Sequence, residues 1–195
     1  MKTVHIPTNC NPFIVVINNN VYRYTAGDTV DVPDEVAEAI EDALELVPTP
    51  KRYLSKFAQL VNGTLTEITA SDLEGIETIA YYAFGQCYSV KSIELPNSLK
   101  IIRPSAFTAC TSLESVKFGT NSRLESIGES AFDWCTKLKS VYLPETPPIL
   151  ASVNAFNEVK ANCVFYCKSQ ESLNAYKAAP NWSTLTGTYS FVVEA

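Results

Sequence analysis

Cysteine is the residue type in this sequence best suited to chemistry, with six copies in 195 residues. Cys87, Cys110 and Cys135 recur at equivalent positions of similar segments. If those segments stack, neighbouring thiols lie about one strand spacing apart, roughly 4.8 Å, which is close to disulfide range. A row of three leaves one thiol unpaired, and the side chains run parallel, so we expect a buried, reduced ladder rather than a disulfide.

Cys163 and Cys167 raise the possibility of a metal or redox site, since three residues separate them. A zinc site needs a second ligand pair or histidines at metal spacing, and neither accompanies these cysteines. A redox role stays open, although alternation along a strand would place both on one face as packing residues. We therefore expect no metal and no cofactor.

Catalytic constellations are missing from the sequence. The chain has a single histidine, His5, which lies near the N-terminus and outside the repeats. We therefore expect no Ser-His-Asp, Cys-His or multi-histidine site. The carboxylate pairs Glu125/Glu129 and Glu41/Glu45 fall on expected turns or a helix face, where solvation is their usual role. The seven glycines form no phosphate loop. The expectation is a protein that is not an enzyme.

Charge and hydropathy restrict the partners. The net charge of −6 argues against nucleic acid, which requires a clustered basic surface. No apolar stretch approaches the roughly 20 residues that span a bilayer. The apolar run Phe13 to Ile17 is too short and too late for a signal peptide, so we expect neither membrane insertion nor signal-dependent export.

A short repeat must position these residues. The segment FGQCYSVKSIELPNS returns as FTACTSLESVKFGTN and as FDWCTKLKSVYLPET, a period of 23 to 25 residues. Such a period is typical of stacked repeats that each contribute one strand to a parallel sheet. The shared apolar positions predict a core ladder of Phe84, Phe107 and Phe132 beside Cys87, Cys110 and Cys135.

Alternation within each repeat's strand divides it into two faces. The pairs expected to point inward are Ile93/Leu95, Val116/Phe118, Val141/Leu143 and Val164/Tyr166. The outward positions, which form a candidate binding face, are then Glu94, Lys117, Tyr142 and Phe165. Tyr142 and Phe165 are the preferred anchors, because exposed aromatic side chains dominate recognition. Other aromatic residues outside the inward pattern are Tyr81, Tyr82, Tyr88 and Trp134.

The flanking segments suggest a domain at one end and a cap at the other. Residues 13–25 predict a β-hairpin, and Pro33 begins an expected helix that the prolines of VPTPKR stop. Asn62 and Gly63 suggest a second hairpin as N-terminal cap. A short helix followed by Trp182 suggests a C-terminal cap, and the tail TYSFVVEA is expected to join a sheet edge or a neighbouring chain.

The predicted fold class is α+β. It consists of an attachment or oligomerisation domain (1–50), a linker with capping hairpin (51–75), a solenoid with a parallel sheet of about four coils (76–167), and a cap with tail (168–195).

The repeat consensus Ile-x-x-x-Ala-Phe-x-x-Cys-x-x-Leu-x-x-Val-x-Leu-Pro appears here as ESIGESAFDWCTKLKSVYLPE. It resembles the BspA-like leucine-rich repeat, over Ile76 to about Trp182. Members of that family are typically surface or secreted adhesion and recognition proteins of bacteria and some protists. The resemblance therefore implies binding of a protein or a cell-surface glycan rather than catalysis.

The segment VINNNVYRYTAGDTVDVPDEVAEAIEDA resembles parts of bacteriophage structural proteins, including head-fibre-like proteins. This implies a virion component, head fibre or tail-associated, which forms a homo-oligomer through residues 1–50 and contacts other virion proteins. Two alternatives stay open: a structural decoration or stabilising protein of the particle, and a bacterial interaction module in the cytoplasm or at the cell surface.

Overall fold

The computed structural model describes residues 2–5, 13–17, 20–24, 29–32, 37 and 65–194. Near the N-terminus, β1 (Lys2–His5) pairs antiparallel with β4 (Thr29–Val32), and β2 (Phe13–Ile17) pairs antiparallel with β3 (Asn20–Tyr24). The β2–β3 pairing confirms the first predicted hairpin. Of the predicted helix only Ala37 is described, and it is helical and buried. The linker VPTPKR and the Asn62–Gly63 turn lie outside the described residues.

Two parallel sheets organise residues 65–194. The longer sheet has the order β14-β13-β11-β9-β7-β5, and the shorter sheet has the order β12-β10-β8-β6. Strands of the longer sheet are β5 (Glu67–Ile68), β7 (Ser92–Leu95), β9 (Ser115–Phe118), β11 (Ser140–Tyr142), β13 (Val164–Cys167) and β14 (Ser190–Val193). Strands of the shorter sheet are β6 (Thr78–Ile79), β8 (Ile101–Ile102), β10 (Ser126–Ile127) and β12 (Ile149–Leu150).

The chain alternates between the sheets from β5 to β13, and we call one passage through both sheets a coil. Every neighbouring pair in both sheets is parallel. Apolar residues of both sheets join one buried cluster, so the core lies between the sheets and runs through all the coils. Parallel sheets of this kind with few helices are consistent with a leucine-rich-repeat fold.

The turn that follows each short strand connects neighbouring coils through the backbone. The Phe84, Phe107 and Phe132 amides donate to the carbonyl oxygens of Ala106, Ala131 and Ala155 at 2.8, 2.8 and 2.7 Å. The Gln86, Ala109 and Trp134 amides also donate to the next coil, and these three residues have positive φ. A left-handed backbone costs a non-glycine residue roughly 1 to 2 kcal/mol. The inter-coil bonds and the burial beneath the turn offset that cost.

Phenylalanine fills the core beneath this turn in four successive coils. The rings of Phe84, Phe107, Phe132 and Phe156 stack nearly parallel, with centroids 5.2, 5.0 and 5.2 Å apart. Phe107 and Phe132 are fully buried. The predicted phenylalanine ladder is therefore present, and Phe156 extends it by one coil.

Two helices close the C-terminal end of the core. α1 (Gln170–Ala178) begins at Ser169, whose side chain accepts from the Ser172 amide, and α2 (Trp182–Thr186) follows. Tyr176 and Trp182 are fully buried, and their polar groups donate to the carbonyls of Pro144 and Pro148 at 3.1 and 2.8 Å. These bonds allow large aromatic residues to close the core without an unsatisfied polar group. The predicted cap at Trp182 is confirmed.

The segment predicted to hold an N-terminal capping hairpin (51–75) also contains a strand of the longer sheet. Glu67–Ile68 pairs in parallel with Ser92–Ile93, so it is the first described strand of the longer sheet. Ile68 is buried in the same core cluster as the later coils. The repeat array therefore begins before Ile76.

Replacing one phenylalanine of the ladder should show how much the stacked rings contribute to stability. We expect Phe107→Ala to lower the free energy of unfolding by about 3–5 kcal/mol, because it leaves a cavity between two stacked rings. Urea denaturation measures the change. Tyr88→Ala is the control, since Tyr88 is 50% exposed. Equal shifts of the two variants would contradict a structural role for the ladder.

Candidate functional site

The outward face of the longer sheet is the candidate site, and its residues form two rows across the strands. One row is small and mostly hydroxylic, and comprises Ser92, Ser115, Ser140, Val164 and Ser190. The other row carries larger side chains, and comprises Glu94, Lys117, Tyr142, Tyr166 and Val192. We call this second row the outward row. It changes from charged to aromatic to aliphatic along the array.

The charged part of the outward row is an ion pair. Lys117 Nζ lies 3.6 Å from Glu94 Oε1, and about half of each side chain is exposed. An exposed pair of this kind contributes little to stability, typically below 1 kcal/mol. The pair gives this part of the face a polar, nearly neutral surface.

The aromatic part is a stacked tyrosine pair. The rings of Tyr142 and Tyr166 lie 4.7 Å apart with an interplanar angle of 11°. Both side chains are half-buried, and their strands pair Tyr142 directly with Tyr166. Because each ring supports the other, the pair offers a rigid amphipathic surface that loses little entropy on binding.

The outward position predicted for Phe165 is wrong. Phe165 pairs with Val141 and is fully buried, whereas Tyr166 occupies the outward position beside Tyr142. The prediction took Val164 as the residue equivalent to Val141, whereas the residue that pairs with Val141 is one position later in the chain. Phe165 meets Phe156 edge to face at 5.1 Å and stacks on Phe191 at 4.7 Å. It therefore fills the end of the core, and the inward assignments of Val164 and Tyr166 are also wrong.

Val192 extends the outward row beyond the tyrosines. It pairs with Tyr166 and is 38% exposed, as is its neighbour Val193. The prediction that the tail joins a sheet edge is confirmed, because β14 is the terminal strand of the longer sheet among the described residues. Sequence reasoning placed no binding residue here, although the alternation of SFVV could have indicated one.

The other aromatic residues outside the predicted core lie at the turns that connect the coils, and Tyr81 and Tyr82 among them are half-buried. Tyr81 and Tyr82 contact each other at 5.4 Å between centroids, and Trp134 is 53% exposed. Asn157 donates to the Asp133 carboxylate at 3.1 Å beside Trp134. These side chains are spread over several coils.

The cysteines belong to the core. Cys110 and Cys135 are fully buried, and their thiols donate to the carbonyls of Phe84 and Phe107 at 3.0 and 3.3 Å. Cys87 is partly buried at the start of the row. All described cysteines are free thiols, and among described residues no cluster of three potential metal ligands occurs.

Burial also makes these thiols poor nucleophiles. Desolvation raises the pKa of Cys163 to about 12 and that of Cys167 to about 11. The pKa of Cys110 is raised well above its ordinary value, chiefly by its interaction with Cys135. Metal ligation and nucleophilic attack both need the thiolate, so these pKa directions favour packing over chemistry.

Parallel sheets, a repeated phenylalanine turn and an aromatic C-terminal cap define a protein built from stacked repeats. The BspA type leucine-rich repeat region matches residues 56–179 in six copies, and the chain therefore belongs to this family. A comparison with curated proteins finds no match.

One similar solved structure is the crystal structure of the pneumococcal vaccine antigen PcpA. It is 16% identical to this chain with a TM-score of 0.34, and the match covers 67% of this chain and 42% of that chain. The chain thus spans less than half the length of that antigen structure, and the similarity is too distant to carry an argument about function. Within the described ranges, no helix is long and apolar enough to cross a membrane.

The raised thiol pKa values predict a loss of stability at alkaline pH. A thiol of ordinary pKa near 9.0 deprotonates in the unfolded chain, while Cys163 stays protonated in the fold until about pH 12. Its stabilising contribution is therefore complete below pH 9 and declines as the pH rises from there, by up to about 1.4 kcal/mol per pH unit. Urea midpoints on either side of pH 9 measure this decline.

Cys163→Ala isolates this thiol from the tyrosines that also titrate in alkali. The difference in stability between the wild type and the variant should narrow as the pH rises above 9. A constant difference across that range would show that the Cys163 thiol does not titrate with unfolding.

Proposed function

We propose that this protein is a non-enzymatic recognition module that binds a protein partner on the outward face of its longer sheet. The main support for this proposal is the stacked Tyr142–Tyr166 pair, which forms the aromatic centre of that face. Membership of the family supports the proposal, because leucine-rich-repeat domains generally mediate protein–protein interaction. In the proposed architecture the coils form a short solenoid whose sheet face is the binding surface.

The chemistry of the outward row suits a protein partner. Protein interfaces concentrate binding energy in aromatic anchors and place polar groups at the rim. Here the tyrosine pair lies between the Glu94–Lys117 ion pair on one side and Val192 on the other. The hydroxyl row of Ser92, Ser115 and Ser140 runs alongside and supplies adaptable hydrogen-bonding groups. A cell-surface glycan is the alternative ligand, since tyrosine rings also stack on sugars.

The larger assembly is a separate part of the proposal. We place the chain in a bacteriophage particle, with residues 1–50 as an attachment and oligomerisation region. The resemblance of residues 16–43 to head-fibre-like proteins supports this, and no feature of the outward row depends on it. A structural decoration protein without a receptor, and an interaction module at the cell surface or in the cytoplasm, are the alternatives. Detection of the chain in purified particles by mass spectrometry tests the placement, and its absence there would contradict it.

Selection from a displayed random-peptide library tests the binding face, with a glycan array as a parallel probe. We expect peptides enriched on the wild type to lose at least tenfold in affinity for Tyr142→Ala/Tyr166→Ala, because both anchor rings are removed. Tyr88→Ala is the matched control and should retain binding. Retention by the double variant, or loss by the control, would move the site away from this face. Enrichment on the glycan array alone would replace the protein partner with a sugar.

A further inference from the structure

The open edge of β14 is a candidate interaction surface on the described part of the chain. Within that part, β14 pairs with β13 on one side and with no strand on the other. An unpaired edge presents a row of backbone donors and acceptors that can accept another strand. Two of the five large hydrophobic residues exposed among the described residues, Val192 and Val193, lie on this strand.

Backbone direction identifies the groups at the open edge. The Glu194 amide donates to the Cys167 carbonyl at 2.8 Å, so Glu194 points toward β13. Backbone groups alternate in direction along a strand, so Val192 also points toward β13. Phe191 and Val193 then direct their N–H and C=O groups away from the sheet. The structure therefore offers two donors and two acceptors, spaced for pairing.

We infer that β14 pairs antiparallel with β14 of a second copy of this chain, about a two-fold axis at Val192. In this register Phe191 of each copy exchanges both hydrogen bonds with Val193 of the other. The open edge is thus complementary to itself. Val192 faces Val192 as a non-hydrogen-bonded pair, in which opposite side chains approach most closely.

Side-chain chemistry agrees with this register. The two Val192 side chains meet on the outward face and bury apolar surface that a single copy exposes. Ser190 lies opposite Glu194, so no like charges meet across the axis. Lys168 Nζ lies 2.8 Å from Glu194 Oε2 within each copy, which neutralises the one charged side chain among residues 190–194. β14 is also held firmly for pairing, because Phe191 stacks on Phe165 at 4.7 Å.

The pairing would extend the parallel sheet of each copy across the axis. Both outward faces then lie on the same side, and the two copies of Tyr166 flank the central Val192 pair. A dimer of this kind differs from oligomerisation through residues 1–50, because it depends only on the C-terminal strand. Val192 belongs both to this pairing and to the outward row, but Tyr142 takes no part in the pairing, so the two proposals can fail independently.

Oxidative crosslinking of the full chain tests the register directly. Val192→Cys places two thiols across the axis at a Cα separation of about 4.5 Å, which permits a disulfide. Ser190→Cys is the matched control on the same strand, since the two copies of that position lie roughly 13 Å apart along the strand. We expect a crosslinked dimer with Val192→Cys and at least tenfold less with Ser190→Cys. Equal crosslinking of the two variants would overturn the inference.

Native mass by light scattering over a concentration series provides the second readout. We expect a dimer for the wild type and for Tyr142→Ala. Val193→Pro removes a donor at the open edge while leaving the bonds to β13, so this variant should be monomeric and still unfold cooperatively on heating. A wild type that is monomeric throughout, or a folded Val193→Pro that remains dimeric, would overturn the inference.

Discussion

At the turn after each short strand, backbone amides donate hydrogen bonds to carbonyls of the next coil, and the rest of the structure depends on these bonds. The Phe107 amide bonds to Ala131 of the next coil, while its ring stacks between those of Phe84 and Phe132. A single coil therefore can neither satisfy its backbone hydrogen-bonding groups nor bury its apolar surface. Each thiol of the cysteine row that donates to the preceding coil adds to the same dependence. Stability in such an array is a property of adjacent coils rather than of any one of them.

This dependence explains why the ends of the array differ from its middle. At the C-terminal end no further coil is described, and Tyr176, Trp182 and Tyr189 cover the core instead. Their polar groups bond to backbone carbonyls of the last coil, as the next turn would otherwise do. β14 then adds one more parallel strand, whose outer edge is open among the described residues. The cap thus closes the apolar core without closing the longer sheet.

The sequence predicts those parts of the fold in which a distinctive residue type marks a distinctive position. The Ala-Phe-x-x-Cys spacing identified the ladder, and the aromatic residues near Trp182 identified the cap. It failed at Phe165, because Cys163 to Cys167 are all apolar or aromatic and alternation cannot distinguish their two faces. Only the pairing of Phe165 with Val141 shows which of these residues points inward. The first strand, Glu67–Ile68, was missed because it lacks the repeat motif, and the β1–β4 pairing has no local signal.

The functional face follows from the same periodicity. Core positions repeat closely because every coil must fit its neighbours, whereas outward positions change from Glu94 to Lys117 to Tyr142 without disturbing the stack. Amide hydrogen exchange tests the account most directly, through the amides of Phe107 and Phe132 in the central coils. If the coils depend on one another for stability, both amides exchange only with global unfolding, at the free energy that urea denaturation measures. Exchange of either amide by local opening, at a free energy well below that value, would contradict the mutual dependence of the coils.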